Sequence, residues 1–356
     1  MKAIINDYPG VMKALVLHGV GDLRLLEVEV PELRSGCVLL RIKACGICSS
    51  DKERIYVTGT YHFPTIPGHE FSGQIVAVAD DVDESYLEKR ACVFPMLPCM
   101  KCPACESEEY AQCVNYNYFG SRCDGGFAEY LVVPLWNIIT FPDTLPYEVA
   151  ALCEPSAVSL HAVNLAELEN TDTVAVVGTG TIGFLVAEFA RKRAKKVFIC
   201  GRTGEKLEHA RALGYETIDI SGPSYRDNAF KTTDGTGFNV VFEAVGSTCA
   251  ISQAVDMAGN FGRIILLGNP KGDLSLEKNI YWSILRKQKS IRGAWNSRYS
   301  KKQNDWKEVL SLMEADPSGF KRLITHKFYV EDYKNAFDVF RGEGAKEFQL
   351  KIMLTF

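Results

Sequence analysis

A chain of 356 residues exceeds the usual single-domain size, so two domains are expected. With 47% apolar and 24% charged residues it has the make-up of an ordinary globular protein. A net charge of −4 offers no general attraction to nucleic acid or anionic membrane, and no apolar run approaches the roughly 20 residues of a bilayer span. Asn6, Asp7 and Pro9 interrupt any secretion signal, so a cytoplasmic location is expected. In such a chain twelve cysteines point to metal binding or catalytic thiols before a disulfide framework.

Residues 1–11 read as an N-terminal extension, because Met1-Lys2-Ala3 is echoed by Met12-Lys13-Ala14 at the head of the strand Ala14–Leu17. Short strands at Leu23–Val30 and Cys37–Lys43, bounded by Gly and Pro, favour a β-rich domain of barrel type. Phe119–Arg122 and Asp124–Tyr130 form a turn entering another strand. There Arg122 is either a contact for an anionic substrate or a solvated arginine. Glu154-Pro155 starts a helix with proline in its first turn. From Thr173 strands and helices alternate: strands at 173–177, 196–200, 239–243, 263–267 and 290–295, with helices at 205–213 and 250–257. That alternation predicts a doubly wound parallel sheet. Helices at 306–314 and 331–340 follow, and a strand at 350–354 returns to the first domain. The expected domains are 12–155 with 300–356, and 156–299.

Three constellations carry chemistry. After the strand Thr173–Val177 come Gly178, Gly180 and Gly183, then a helix opening at Thr181 and Ile182. The first glycine permits a tight turn, the second admits a pyrophosphate, and the third lets helix and strand pack closely. Cys48 and His69 lie in glycine-flanked turns, and either Glu70 or Glu154 would complete a catalytic zinc set with an open position. Each residue alone is an ordinary core cysteine or structural histidine; their joint occurrence beside a dinucleotide turn favours the metal. Cys99, Cys102, Cys105 and Cys113 match a closed four-thiolate zinc site, with two disulfides or an iron–sulfur cluster as alternatives.

Past residue 11 the chain resembles the zinc-dependent medium-chain dehydrogenase/reductases, within them the polyol and polyol-phosphate branch. The match is carried by Cys48-Ser49-Ser50-Asp51, Gly68-His69-Glu70, the four-cysteine lobe, Gly125–Tyr130, Glu154-Pro155 and Gly178–Gly183. The resemblance implies a GroES-like β-rich catalytic domain plus a Rossmann domain. It implies that Cys48, not Cys45, binds the catalytic metal, with His69, Glu70 and Glu154 as further ligands. Ser50 becomes the proton relay and Asp51 the orienter of His69. It also implies a homodimer or homotetramer.

NAD-specific sheets place an acidic residue at the end of the second strand. Here Gly201 stands there, Arg202 follows, and Thr203 and Lys206 complete the expected cofactor set. Gly makes room for a 2′-phosphate and Arg binds it, so NADP(H) is expected over NAD(H). The expected activity is hydride transfer between a secondary alcohol of a polyol or polyol phosphate and nicotinamide, equally a ketose or ketose-phosphate reductase. Arg298, Lys301 and Lys302 are either a phosphate contact or an exposed helix start. The alternatives are an unphosphorylated sorbitol- or threonine-type dehydrogenase, and a zinc-stabilised nucleotide-sensing binding protein.

Overall fold

The computed structural model describes residues 2–3 and 8–356, except Thr203 and residues 344–347. Thr203, expected at the cofactor site, therefore lies outside the described residues. The chain divides into two compact units, Met1–Glu154 with Arg298–Phe356, and Pro155–Ser297.

The first unit begins with β1 (Lys2–Ala3), β2 (Val11–Gly19), β3 (Asp22–Glu29), β4 (Cys37–Gly46) and β5 (Glu70–Val78). It continues with β6 (Arg90–Val93), β7 (Met96–Leu97), β8 (Asn117–Tyr118), β9 (Tyr130–Pro134) and β10 (Ile138–Phe141). The second unit holds β11 (Thr173–Val177), β12 (Lys196–Gly201), β13 (Glu216–Asp219), β14 (Phe238–Glu243), β15 (Ala258–Leu266) and β16 (Ser290–Gly293). The chain then returns to the first unit for β17 (Ile324–Tyr329) and β18 (Lys351–Thr355).

In the first unit an eight-stranded sheet runs β10-β6-β5-β4-β18-β17, with β1 on β5 and β9 on β4. Its centre is apolar because inward residues such as Leu39, Ile42, Phe71 and Ile75 lose all but about 2% of their exposure. Register decides what meets at the sheet's end. Gly46 pairs with Glu70 across the antiparallel β4–β5 ladder, and Met353 pairs with Gly46 from the other side. The turn after β4 (Cys48–Asp51), the entry to β5 (His69-Glu70) and the start of β18 (Lys351) are thereby gathered at one edge. A Cβ at Gly46 would collide with Glu70 Oε2, so only glycine leaves this carboxylate its place.

The second unit is a six-stranded parallel sheet in the order β13-β12-β11-β14-β15-β16. Val174, Ala175, Val176 and Val177 of β11 are fully buried, as a strand with parallel neighbours on both sides requires. The order reverses at β11, so β12 and β14 diverge there and leave a crevice beyond the strands' carboxyl ends. Among the elements not predicted from the sequence pattern are β13, the helix Tyr225–Thr232 and β17. Each carries a half-exposed polar face, which blunts the apolar periodicity. The strand expected at 290–295 stops at Gly293, where its pairing with Leu266 at the end of β15 runs out.

Candidate metal centres and dinucleotide turn

The Cys48–Glu53 turn leaves β4 and folds back on itself because the Asp51 carboxylate accepts the Cys48 N–H at 2.9 Å. Asp51 is fully buried, and its Oδ1 lies 3.3 Å from His69 Nδ1. Burial works against ionisation of Asp51, yet His69 and Arg54 hold its pKa below the ordinary value. The ligating atoms of Cys48, His69 and Glu70 all lie within 4.8 Å of one another. Ser50 Oγ donates to Cys48 Sγ at 3.3 Å, and Arg54 Nη1 donates to Ser50 Oγ at 3.0 Å. A hydroxyl thus stands at the mouth of the cluster. Cys45, by contrast, is fully buried in the sheet core, where desolvation pushes its thiol well up.

Glu154 heads the helix Cys153–Leu165, and its Oε1 accepts from Tyr118 Oη at 3.1 Å. The Tyr118 ring packs beside His69 with centroids 5.8 Å apart. Burial, with the Glu70 carboxylate adding to it, pushes the Glu154 pKa up to about 7. Glu70 has a counter-charge: Lys351 Nζ reaches its Oε2 at 2.5 Å, with both side chains buried. Burial opposes protonation of Lys351, but the Glu70 and Cys48 charges raise its pKa overall.

Of the two carboxylates expected as ligands, Glu70 falls in the tight cluster and Glu154 stands beside it, tied to Tyr118. Neither Lys351 nor Tyr118 is flagged by motif. Lys351 is 281 residues from Glu70, inside a strand that reads only as apolar alternation. The half-buried Cys48 thiol, with the buried His69 imidazole and the buried Glu70 and Glu154 carboxylates, has one buried ammonium, Lys351, beside it. That donor set fits a zinc ion.

The four cysteines meet separately. Cys102 and Cys105 Sγ atoms are 3.5 Å apart, Cys102 and Cys113 3.9 Å, and Cys99 and Cys105 4.0 Å. A zinc tetrahedron with Zn–S of about 2.3 Å has sulfur edges of about 3.8 Å. Disulfides would need about 2.05 Å, and all twelve cysteines are unpaired. Backbone N–H groups of Cys105 and Val114 bring the Cys102 thiol down to about 6, whereas burial pushes Cys105 up to about 12. With four protein donors and no open position, this site pins a loop.

In the second unit Gly178 has φ +126, a conformation that only glycine adopts freely. A Cβ at Gly183 would collide with the Gly178 carbonyl, while one at Gly180 would meet nothing within 4 Å. The turn is therefore closed on its protein side and open at Gly180, the N-cap of the helix Thr181–Ala190. An anion there faces the positive end of that helix. At the end of β12, Gly201 is buried, and a Cβ would collide with Thr179 Cγ2. Arg202 is exposed, and no acidic side chain pairs with it among the described residues. Lys206 is half-buried, and burial lowers its pKa. Arg298 is committed elsewhere: Nη2 contacts Glu109 Oε1 at 3.0 Å and Nη1 donates to Gln303 Oε1 at 2.8 Å.

Residues 34–143 match the alcohol dehydrogenase GroES-like domain, and residues 181–315 match the zinc-binding dehydrogenase family. The chain is 32% identical over 344 residues to galactitol 1-phosphate 5-dehydrogenase of Escherichia coli (strain K12), covering 94% of this chain and 95% of that protein. It is 29% identical to sorbitol dehydrogenase of Halalkalibacterium halodurans, covering 97% and 99%. The crystal structure of galactitol-1-phosphate dehydrogenase from Escherichia coli matches with a TM-score of 0.90 at 33% identity, covering 97% of this chain and 100% of that chain. The chain belongs to the zinc-containing medium-chain alcohol and polyol dehydrogenases, oxidoreductases acting on CH–OH with a structural zinc, a catalytic zinc and a nicotinamide cofactor.

Proposed function

We propose that this chain interconverts a polyol phosphate and the corresponding ketose phosphate, with NADP(H) preferred. The observation that carries the reading is the Cys48–His69–Glu70 cluster, its imidazole and carboxylate buried, with the Ser50 hydroxyl against it. Those three residues would hold the catalytic zinc, with Glu154 as the nearby carboxylate, and Cys99, Cys102, Cys105 and Cys113 the structural one. When bound, the metal supplies Lewis acidity toward the substrate oxygen and the nicotinamide supplies a hydride acceptor. Ser50 Oγ takes the alcohol proton while passing its own toward solvent, because a serine cannot be the final base near neutral pH. Arg54 donates to Ser50 Oγ, while the hydroxyl's own proton lies toward Cys48 Sγ.

Gly178, Gly180, Thr181, Ile182 and Gly183 would hold the cofactor pyrophosphate, and Arg202 with Lys206 the adenosine 2′-phosphate. Arg202, exposed and without an acidic partner among the described residues, supports this reading. The phosphorylated substrate is favoured by the full-length likeness to galactitol 1-phosphate 5-dehydrogenase. We further propose a homodimer or homotetramer joined along β16. Its four residues are exposed at a sheet edge, and Tyr281, Trp282 and Leu285 are exposed on the preceding helix. A cytoplasmic location suits twelve unpaired thiols. No helix among the described residues is long and apolar enough to cross a membrane.

Steady-state kinetics on galactitol, sorbitol and their terminal phosphates with both cofactors test the reading. Preference for a phosphorylated substrate and NADP is expected. Higher kcat/KM with the free polyols refutes the substrate, and higher kcat/KM with NAD refutes the cofactor preference.

A further inference from the structure

We propose that Arg122 is the residue that recognises the substrate's phosphate, an inference that rests on the polyol-phosphate reading above. The Tyr118 carbonyl accepts from the backbone N–H of Ser121 at 3.3 Å, Arg122 at 3.0 Å and Cys123 at 3.3 Å. This tight turn wraps Arg122 around the residue whose ring lies against His69 and whose hydroxyl binds Glu154. Arg122 is thus one turn of backbone from Tyr118, whose side chain in turn touches His69 and Glu154.

Its side chain is held by aromatic rings. The guanidinium carbon lies 4.0 Å from the Tyr61 ring centroid and 4.4 Å from that of Tyr116, and Nη2 donates to Tyr61 Oη at 2.9 Å. Such contacts fix the plane of the guanidinium without neutralising it. No carboxylate among the described residues pairs with Arg122. Asp124, the nearest in sequence, instead accepts the Ile66 N–H at 2.9 Å.

Two other arginines of this unit are occupied. Arg54 faces Asp51 at 3.3 Å, and Arg298 faces Glu109 at 3.0 Å. A planar, half-exposed arginine with no carboxylate partner among the described residues, restrained by two tyrosine rings, is preorganised for a phosphomonoester, whose oxygens match its N–H fork.

Arg122→Gln and Arg122→Lys are compared with wild type on galactitol 1-phosphate and on galactitol. Inorganic phosphate serves as inhibitor, and galactitol 1-phosphate binding to metal-free protein is followed by calorimetry. Arg122→Gln is expected to lower kcat/KM for the phosphorylated substrate at least tenfold, mainly through KM. It should also abolish phosphate inhibition and weaken calorimetric binding, while leaving galactitol turnover unchanged. Arg122→Lys keeps the charge but not the fork and falls between. Tyr116→Leu, which loosens the clamp, raises KM for the phosphorylated substrate alone. A wild type indifferent to the phosphate refutes the substrate reading and this inference with it. A wild-type preference that survives Arg122→Gln, or an equal loss on both substrates, refutes the inference alone.

Discussion

Replacing Lys351 by methionine probes how the buried cluster is balanced before any metal binds. Lys351 and Glu70 side chains are 4% and 1% exposed and in contact at 2.5 Å. Methionine fills much the same volume, so the main effect is an uncompensated buried carboxylate. Breaking one side of such a pair costs about 3–5 kcal/mol. For a domain of about 150–250 residues each kcal/mol moves Tm by about 2–4 °C, which gives a drop of roughly 6–20 °C for the first unit. The assay is differential scanning calorimetry with the four-cysteine site loaded and the catalytic site stripped by a mild chelator. Adding Glu70→Gln should recover much of the loss, since the carboxylate is then neutral. Restoring zinc should also narrow it, because a cation again faces Glu70. A single variant as stable as wild type, or a double variant no better than the single, would refute the account.

Three further outcomes are expected. Arg202→Asp should reverse cofactor preference, costing NADP at least tenfold in kcat/KM through loss of a charge-assisted contact of about 1.5–3 kcal/mol; unchanged cofactor ratios would show that Arg202 is merely solvated. Cys102→Ser should release the structural zinc, detected by elemental analysis, and lower the melting temperature while the catalytic zinc stays bound. Equal loss of both metals would contradict two independent sites. Lys289 is buried against Val255 O at 2.5 Å, and burial lowers its pKa from 10.5 to about 8. Between those values the unfolded chain holds more protons than the folded one, so this lysine makes stability rise with pH from about 8 to 10.5. Lys289→Met should flatten that rise in denaturant titrations across the window.

By itself the sequence determined the features whose physics is local. Gly178 and Gly183 announce a tight turn because φ +126 and a carbonyl-to-Cα approach exclude side chains there whatever lies beyond the strand and helix, while Gly180 leaves the helix N-terminus open. Cys99, Cys102, Cys105 and Cys113 lie within fifteen positions, so chain length alone forces four sulfurs together. The buried strands of the parallel sheet were legible for the same reason, whereas β13 and β17 were not, since their half-exposed faces carry little period.

Only the tertiary structure decided what surrounds the open cluster. Register across β4, β5 and β18 brings Lys351 onto Glu70 over 281 positions of chain, and a turn around the Tyr118 carbonyl sets Arg122 against the Tyr61 and Tyr116 rings. It also removed Arg298 from the phosphate question by giving it Glu109. Long-range pairing of this kind depends on sheet order and ladder register, and no short stretch of sequence encodes either.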